Sequence, residues 1–433
     1  MYSNMHIFAL FFCLTLFLAC NENAAPVIET DHTSDESALS IEEQLQGVVD
    51  DFGLMGLSVV LFANNDIAYE GTFGYAVYEA ERELTRNSIF RIASITKTVS
   101  SIALMQLAEQ GLVDIDADIS NYLGWELRNP NQPDEVITLR HLLGHTSGIR
   151  DGEGYGAFIG DMFGNNIHIK ELFTPGGAYF TDDMFADHAP GDFFSYSNAT
   201  WSLVATVVEL ISGQRFDYYT NQHIFEPLGM SASFNVTDFE PHEFATLYRM
   251  QDGIWTPQVD FYEDSLPQER APDDYVPGTN GLLYGPQGNL RIDTESLATL
   301  ALTLMHGGEW QGVRILEETT LNNMVEPHWE YDGTNGDTWD EFWMSYGLGI
   351  HHITNREEKD VIFPDRTLFG HAGIAYGLLS DMYVDPETGS GVIFITNGSN
   401  RPFEYAETTS FYAMETAVFD ILYPLLLEKE AAN

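Results

Sequence analysis

The chain has 433 residues, of which 44% are hydrophobic, so it can bury a large core and is not intrinsically disordered. Its formal net charge of -48 comes from 66 acidic and 18 basic residues spread along the chain. An acidic surface of this kind repels nucleic-acid phosphates and anionic lipid headgroups, and we therefore expect no nucleic-acid partner.

The first twenty residues, MYSNMHIFALFFCLTLFLAC, contain an apolar run over 7–19 that is short for a membrane span and typical of an export signal. The ending FLAC resembles the lipobox of bacterial lipoproteins, in which the cysteine, here Cys20, is lipidated and becomes the mature N-terminus. We predict a signal peptide over 1–20 and export to the periplasm or cell envelope, with membrane contact only through this lipid anchor. If Cys20 is not lipidated, it is cleaved away or left free near the start.

The segment after the signal is predicted to be a tether. Residues 21–37 are polar, acidic and aperiodic, which is typical of a flexible connection. Cys13 and Cys20 are the only cysteines in the sequence. The chain beyond them can therefore form no internal disulfide and offers no thiol nucleophile.

The elements that follow alternate between helical and strand patterns. Ser40 and Glu43 form a capping box in front of an apolar stripe, which predicts a helix. The turn at 64–66 between β-branched runs predicts a hairpin. Short helices and long loops are expected from 112 to about 290, strands from 345 to 397, and a last helix from about 406 to 423 that ends before Pro424.

Strand signals at both ends and a mostly helical middle predict an α+β fold over residues 38–428. In this fold both chain ends form one antiparallel β-sheet flanked by helices, and a mostly helical lobe is inserted between them. The α/β lobe is expected at about 38–95 and 290–428, and the helical lobe at about 96–289. The cleft between two such lobes is a natural ligand site.

The stretch RIASITKTVSS places Ser94 three residues before Lys97 at a helix start. Three residues make nearly one helical turn, so both side chains lie on one face. A serine there lies over the positive end of the helix dipole, and a desolvated lysine can act as a base, which arginine cannot. The chain contains only four lysines, and Lys97 alone among them has a serine three positions earlier.

Two further motifs follow in order along the chain. Tyr196 and Asn198 form a Tyr-x-Asn after a Pro-Gly turn, and His371 and Gly373 form a His-x-Gly in the late strand region. Ser-x-x-Lys, Tyr-x-Asn and then Lys-Thr-Gly or His-x-Gly is the motif order of the serine β-lactamase and penicillin-binding-protein superfamily. The chain resembles the class C branch and its β-lactamase-related serine hydrolases, which include esterases and D-amino-acid peptidases. The resemblance covers about residues 40–425 and extends to LLGHTSGI at 142–149.

Several other stretches resemble catalytic or metal-binding motifs but have a structural explanation. Tyr219 begins a second Tyr-x-Asn inside a helix, and His306 begins a second His-x-Gly at a helix end. The stretch DIDAD at 114–118 lacks the glycine and glutamate of a calcium loop. His351 and His352 are adjacent in a strand pattern and point to opposite faces. We therefore predict no metal site and no cofactor.

The resemblance implies a role for each motif residue. Ser94 would be the nucleophile, and Lys97 with Tyr196 would form the base system, with either of the two as the acylation base. Asn198 would orient Lys97 and the substrate amide, and the backbone N–H groups of Ser94 and Ile374 would form the oxyanion hole. Gly373 would let its strand approach the substrate. His371 would line the cleft and hydrogen-bond Tyr196 or the substrate, whereas His145 in HTSG is expected to be structural.

The histidine at position 371 bears on the substrate. A lysine there would supply a fixed positive charge for the carboxylate of a penicillin or of a D-Ala-D-Ala terminus, whereas histidine is largely neutral at pH 7. The prediction is a serine hydrolase that works through an acyl-enzyme on an ester, amide or D-amino-acid peptide, with a small molecule or short peptide as substrate. The alternatives are a β-lactamase or D-Ala-D-Ala carboxypeptidase, and a non-catalytic binding domain of the penicillin-recognising type. No oligomeric state is predicted.

Overall fold

The central element of the computed structural model, which describes residues 39–263 and 265–432, is a nine-stranded antiparallel sheet. Its strand order is β11-β12-β13-β14-β15-β16-β1-β2-β3, so strands from the two chain ends meet where β16 pairs with β1. The described strands are β1 (Gly56–Ala63), β2 (Asp66–Val77), β3 (Arg82–Glu83), β4 (Phe90–Arg91), β5 (Ala232–Ser233), β6 (Leu247–Gln251), β7 (Ile254–Val259), β8 (Arg291–Ile292), β9 (Glu309–Trp310), β10 (Val313–Arg314), β11 (Trp329–Glu330), β12 (Ser345–Tyr346), β13 (His351–Ile353), β14 (Leu368–Ala375), β15 (Leu378–Asp385) and β16 (Ser390–Thr396).

Helices cover both faces of the sheet and fill the middle of the chain. This arrangement is the predicted α+β fold, with one sheet built by both chain ends. The described α-helices are α1 (Ile41–Phe52), α2 (Thr96–Glu109), α3 (Ser120–Leu123), α4 (Leu139–Leu143), α5 (Glu153–Met162), α6 (Lys170–Phe173), α7 (Ala199–Ser212), α8 (Phe216–Thr220), α9 (Thr294–Met305), α10 (Glu318–Val325) and α11 (Ala413–Ala431).

The start of the fold follows directly from local sequence. Glu43 N–H donates to Ser40 Oγ at 3.2 Å and Ser40 N–H donates to Glu43 Oε2 at 2.9 Å, which confirms the capping box of α1. Asn64 and Asn65 have φ angles of 56° and 63°, the left-handed conformation that a tight two-residue hairpin turn requires. The predicted hairpin is confirmed by the pairing of β1 with β2.

Each face of the sheet has its own apolar layer. On one face Val59, Leu61 and Phe394 pack with residues of α1 and α11. On the other face Phe62 and Ile393 belong to a larger core that continues through α9 into α2 and α7. Because this larger core is continuous, the inserted helices and the sheet share one interior, and from Ser40 onward the described chain forms one compact unit.

The last helix differs from the prediction. It spans Ala413–Ala431 and passes through Pro424 instead of ending before it. Proline removes one backbone hydrogen bond, but Leu422 and Leu426, on either side of it, are both fully buried against the sheet and hold the two halves in place.

The predicted helical lobe contains both expected helices and an unexpected hairpin. The short helices expected between 112 and about 290 include α5 and α6. The hairpin of β6 and β7 was not expected, and it approaches the main sheet where Tyr248 N–H donates to Asn397 O at 2.8 Å. Across the described residues, no helix is both long and apolar enough to cross a bilayer. The predicted signal peptide, Cys20 and the tether lie outside the described residues.

Candidate active site

Ser94 lies in a tight turn that leads into α2. The turn is a 3₁₀ segment over Ala93–Ile95, and Ala93 takes a φ of 47°, a conformation that non-glycine residues rarely adopt. The preceding strand β4 pairs with β8 in a three-stranded sheet, which holds the start of the turn in place. Ser94 therefore precedes the first turn of α2, at the end of the helix where backbone N–H groups and the dipole favour negative charge.

Lys97 is fully buried, although its amino group lies beside three oxygen atoms. Its Nζ is 3.0 Å from Ser94 Oγ, 2.9 Å from Asn198 Oδ1 and 2.7 Å from the carbonyl oxygen of Gln287. Burial lowers the pKa of Lys97 from 10.5 to about 7, and the negative charge of Asp151 opposes this shift. Lys97 can therefore be neutral near pH 7 and accept a proton from the serine.

Tyr196 is held between two aromatic rings. Its ring stacks on His145 at 4.3 Å between centroids and on Trp343 at 4.9 Å, with Lys97 Nζ 4.9 Å from the Tyr196 ring centroid. Burial raises the pKa of Tyr196 well above 10, and a hydrogen bond with Ser94 opposes this shift. The phenol is therefore protonated at neutral pH and is available as a proton donor beside Ser94.

Asp151 is a residue of the site that the sequence analysis missed. Its carboxylate accepts hydrogen bonds from the Asn198 backbone N–H, the Asn198 Nδ2 and the Ala199 N–H, each at 2.8 Å, and from Ser197 Oγ at 3.0 Å. These bonds cap the N-terminus of α7, which has no side-chain cap of its own at Asn198. Because Nδ2 of Asn198 faces Asp151, its Oδ1 is turned toward Lys97.

Asp151 belongs to no short motif with the other site residues, because it lies 47 positions before Asn198, in the loop after HTSG. One signal was available in the sequence. Asp151 follows HTSG after two residues, and α7 begins without a capping side chain at Asn198, so an acidic residue from elsewhere could have been expected to cap that helix.

The structure places His371 differently from the expectation. Its side chain is fully buried, with Nε2 2.9 Å from the Tyr346 hydroxyl and Nδ1 2.5 Å from the Ala372 carbonyl oxygen. Its ring centroid is 6.1 Å from that of Tyr196, and it does not line the cavity at Ser94. Burial lowers the pKa of His371 to about 3, with Lys97 adding to the shift, so the ring is neutral.

His145, expected to be structural, is also fully buried and receives the Ser197 backbone N–H on Nδ1 at 3.1 Å. Its ring holds the Tyr196 ring in place through the stacked contact. The two histidines therefore pack and orient the aromatic residues around the site.

Gly373 lets β14 lie directly against the Ser94 turn. A Cβ atom at position 373 would lie 2.4 Å from Ser380 Oγ and 2.5 Å from the Ile92 carbonyl oxygen, so no larger residue fits. Its neighbour Ile374 is partly exposed and lines the same cavity as Ser94. The predicted site residues Ser94, Gly373 and Ile374 are thus brought to one edge of the cleft.

The cavity at Ser94 has a volume of about 250 Å³, and seven of its fifteen described lining residues are aromatic. None of the described residues that line it is Lys or Arg, and Glu415 contributes an acidic group. No group of three or more metal-ligating side chains occurs within residues 39–263 and 265–432. The aromatic residues at this cavity are Tyr196, Trp339, Phe342, Trp343, Tyr405, Phe411 and Tyr412.

Comparison with characterised sequences identifies relatives of several kinds. Esterase EstB of Burkholderia gladioli is 28% identical over 237 residues, which cover 51% of this chain and 60% of the esterase. Penicillin-binding protein 4* of Bacillus subtilis is 28% identical over 174 residues, which cover 40% of this chain and 36% of that protein. The chain thus spans about a third to three fifths of the length of these two relatives.

Solved structures share the fold at lower sequence identity. The octameric penicillin-binding protein homologue from Pyrococcus abyssi superimposes with a TM-score of 0.65 at 23% identity, covering 90% of this chain and 77% of that chain. A D-amino acid amidase from Ochrobactrum anthropi SV3 gives 0.62 at 20% identity, covering 90% and 99%. The sequence profile of the family described as Beta-lactamase matches residues 41–413. This match spans most of the described domain, and the chain belongs to the Beta-lactamase family.

Proposed function

We propose that this protein is a serine hydrolase that forms a covalent acyl-enzyme on Ser94 with an ester, amide or D-amino-acid peptide substrate. The observation that carries the proposal is the buried Lys97 amino group, 3.0 Å from Ser94 Oγ and with its pKa lowered to about 7. A nucleophile within hydrogen-bond reach of a base that is neutral near the working pH is what acyl transfer requires.

Acylation begins when neutral Lys97 Nζ takes the Ser94 hydroxyl proton and Oγ forms a bond to the substrate carbonyl carbon. The carbonyl oxygen becomes an oxyanion, held by the backbone N–H groups of Ser94 and Ile374. The protonated Tyr196 donates its proton to the leaving oxygen or nitrogen as the scissile bond breaks, and the phenolate recovers a proton from Lys97 Nζ. Asn198, fixed by Asp151, keeps the amino group aimed at Ser94 throughout.

Deacylation repeats the sequence with water in place of serine. Water gives a proton to the same Lys97 and Tyr196 pair and attacks the acyl carbon, and Ser94 Oγ leaves with that proton. The pKa of Lys97 is close to neutral, so the lysine acts as the base, and the pKa of Tyr196 is raised, so the tyrosine acts as the acid.

The cavity favours an apolar or aromatic acyl group over a β-lactam. Its wall is mostly apolar, with seven aromatic residues among fifteen, and the described residues at its surface include no basic side chain that could hold a carboxylate next to the scissile bond. His371 cannot supply one, because it is buried and neutral. The esterase and the D-amino acid amidase among the similar proteins support an ester or amide substrate, and penicillin-binding proteins are also among the relatives.

A substrate panel tests the proposal. The purified protein is assayed with p-nitrophenyl esters of short and phenyl-substituted acids, with D-amino-acid anilides and with nitrocefin, beside Ser94→Ala as the control. We expect ester or amide turnover that exceeds nitrocefin turnover and that disappears in the Ser94→Ala variant. Ester hydrolysis that persists in that variant would contradict the proposal, and binding without any turnover would favour a non-catalytic domain.

We also propose that the chain is exported and anchored through a lipid on Cys20, on the strength of the FLAC sequence. Expression in a bacterium fed an alkyne-labelled fatty acid, with Cys20→Ala as the control, tests this. Label on the wild-type chain that is absent from the variant is expected, and an unlabelled wild-type chain contradicts the anchor.

A further inference from the structure

A second depression adjoins the catalytic cavity on the other side of Ile374. This arginine groove, defined by Arg249, Ile374, Tyr376, Asn400 and Arg401, has a volume of about 390 Å³. Ile374 lines both the groove and the cavity that contains Ser94. A substrate whose scissile carbonyl lies at Ser94 and Ile374 can therefore place one part in the aromatic cavity and the other in the groove.

The groove is basic in a strongly acidic protein. Two arginines line it and none of its described lining residues is Asp or Glu, although the sequence holds 66 acidic and only 18 basic residues. Both arginine side chains are exposed, and neither forms an ion pair within the part of the chain that the structure describes. By contrast, Arg128 and Arg140 bind Asp118 and Asp116. Among the described residues, the guanidinium groups of Arg249 and Arg401 therefore have no acidic partner.

The backbone that carries the two arginines is held firmly. Next to Arg249, the Tyr248 N–H donates to Asn397 O at 2.8 Å, and a Cβ atom at Gly377 would lie 1.9 Å from the Tyr248 carbonyl oxygen. The Arg401 N–H donates to Ser399 Oγ at 3.0 Å. The hairpin β6–β7 and the segment after β16 thus bring two distant parts of the sequence to one groove.

We propose that Arg249 and Arg401 form a subsite for a carboxylate on the part of the substrate that lies across the scissile bond from the aromatic cavity. A planar guanidinium donates two parallel N–H bonds to a carboxylate, which matches the charge of the groove and the absence of Asp and Glu from its described lining residues. The inference rests on the proposed function and names a substrate class for it: esters or amides with an apolar acyl group and an anionic leaving group. The carboxylate would lie beyond Ile374 and not beside Ser94.

A matched pair of esters tests the subsite. Phenylacetyl esters of 3-hydroxybenzoic acid and of 3-hydroxybenzamide differ only in the charge of the leaving group. We expect kcat/KM to be about tenfold higher for the carboxylate ester, mainly through KM, as a charge-assisted hydrogen bond at an exposed site would give. Added NaCl is expected to reduce this preference, because salt screens exposed charges.

Variants distinguish a failure of the arginine subsite from a failure of the proposed hydrolase function. The double variant R249Q/R401Q is expected to lose the preference and to keep its activity on the neutral ester within twofold, and Arg356→Gln, an exposed arginine outside the groove, is expected to keep both. Equal kcat/KM for the two esters in the wild-type protein, or a preference that survives in R249Q/R401Q, overturns the subsite while the hydrolase proposal stands. If neither ester is hydrolysed and Ser94 forms no adduct, the proposed function fails and the subsite with it.

Discussion

Replacing Lys97 with methionine is expected to abolish activity and yet stabilise the fold below neutral pH. Burial lowers the Lys97 pKa from 10.5 to about 7, and this difference corresponds to about 5 kcal/mol of cost for holding the charged form in the folded state. Methionine has a similar length and carries no charge. It leaves three oxygen acceptors without the lysine, at a cost of about 1 kcal/mol each. The expected net gain is about 2 kcal/mol at pH 6.

The gain depends on pH in a defined direction. Below pH 7 Lys97 is charged in both the folded and the unfolded chain, so the wild-type protein carries the whole cost. Between pH 7 and 10.5 the unfolded chain binds one more proton than the folded chain at this position, so wild-type stability rises by about 1.4 kcal/mol per pH unit. The advantage of Lys97→Met is therefore expected to vanish near about pH 8.5 and to reverse above it.

Urea unfolding at pH 6, 7, 8 and 9 measures this difference, with the free energy of unfolding taken from the linear dependence on urea. Lys170→Met is the matched control, because it removes the same charge from an exposed side chain and is expected to change the free energy of unfolding by less than about 0.5 kcal/mol. A difference between wild type and Lys97→Met that does not change with pH would refute the assignment of Lys97 as a desolvated base.

Three further predictions concern activity. The wild-type kcat/KM for p-nitrophenyl butyrate is expected to rise with pH through about 7, as Lys97 loses its proton; a profile that is flat from pH 5 to 9 would be inconsistent with a lysine base. Asp151→Asn is expected to move this inflection to lower pH and to reduce kcat, because the Asp151 charge raises the Lys97 pKa and its carboxylate orients Asn198. The control is Asp183→Asn, which weakens a cap on α5 outside the site and is expected to leave the inflection in place. Gly373→Ala is expected to lower kcat/KM by about a hundredfold or more, because its Cβ would lie 2.5 Å from the Ile92 carbonyl oxygen and push β14 away from Ser94. The control is Gly156→Ala, where a Cβ meets open space, and it is expected to have little effect on kcat/KM.

Much of the site could be predicted because its chemistry depends on short spacings. Ser94 and Lys97 lie one helical turn apart, and Tyr196 and Asn198 lie at the start of α7, so each pair is visible in the sequence. Capping and turn residues likewise determined α1 and the first hairpin. The structure adds that these pairs meet, through the Lys97 Nζ contact with Asn198 Oδ1.

Other features depend on contacts between distant segments and could not be read from local patterns. Asp151 acts through a helix that begins 48 positions later, and His371 turns toward Tyr346 on a neighbouring part of the sheet instead of toward the cleft. Arg249 and Arg401 come together only because a hairpin within the predicted helical lobe packs beside the end of the sheet. Proline usually ends or kinks a helix, but α11 continues through Pro424 because its residues on both sides are packed against the sheet.

Mass spectrometry of the quenched reaction measures directly whether Ser94 carries the acyl group during turnover. The protein is mixed with an excess of a phenylacetyl ester, quenched in acid within the first turnovers and digested with trypsin, which releases the peptide IASITK containing Ser94. We expect this peptide to gain the mass of one phenylacetyl group in the wild-type protein and no acylated peptide to form in Ser94→Ala. Turnover with no acyl adduct, or an adduct on a different residue that persists in Ser94→Ala, would contradict this expectation.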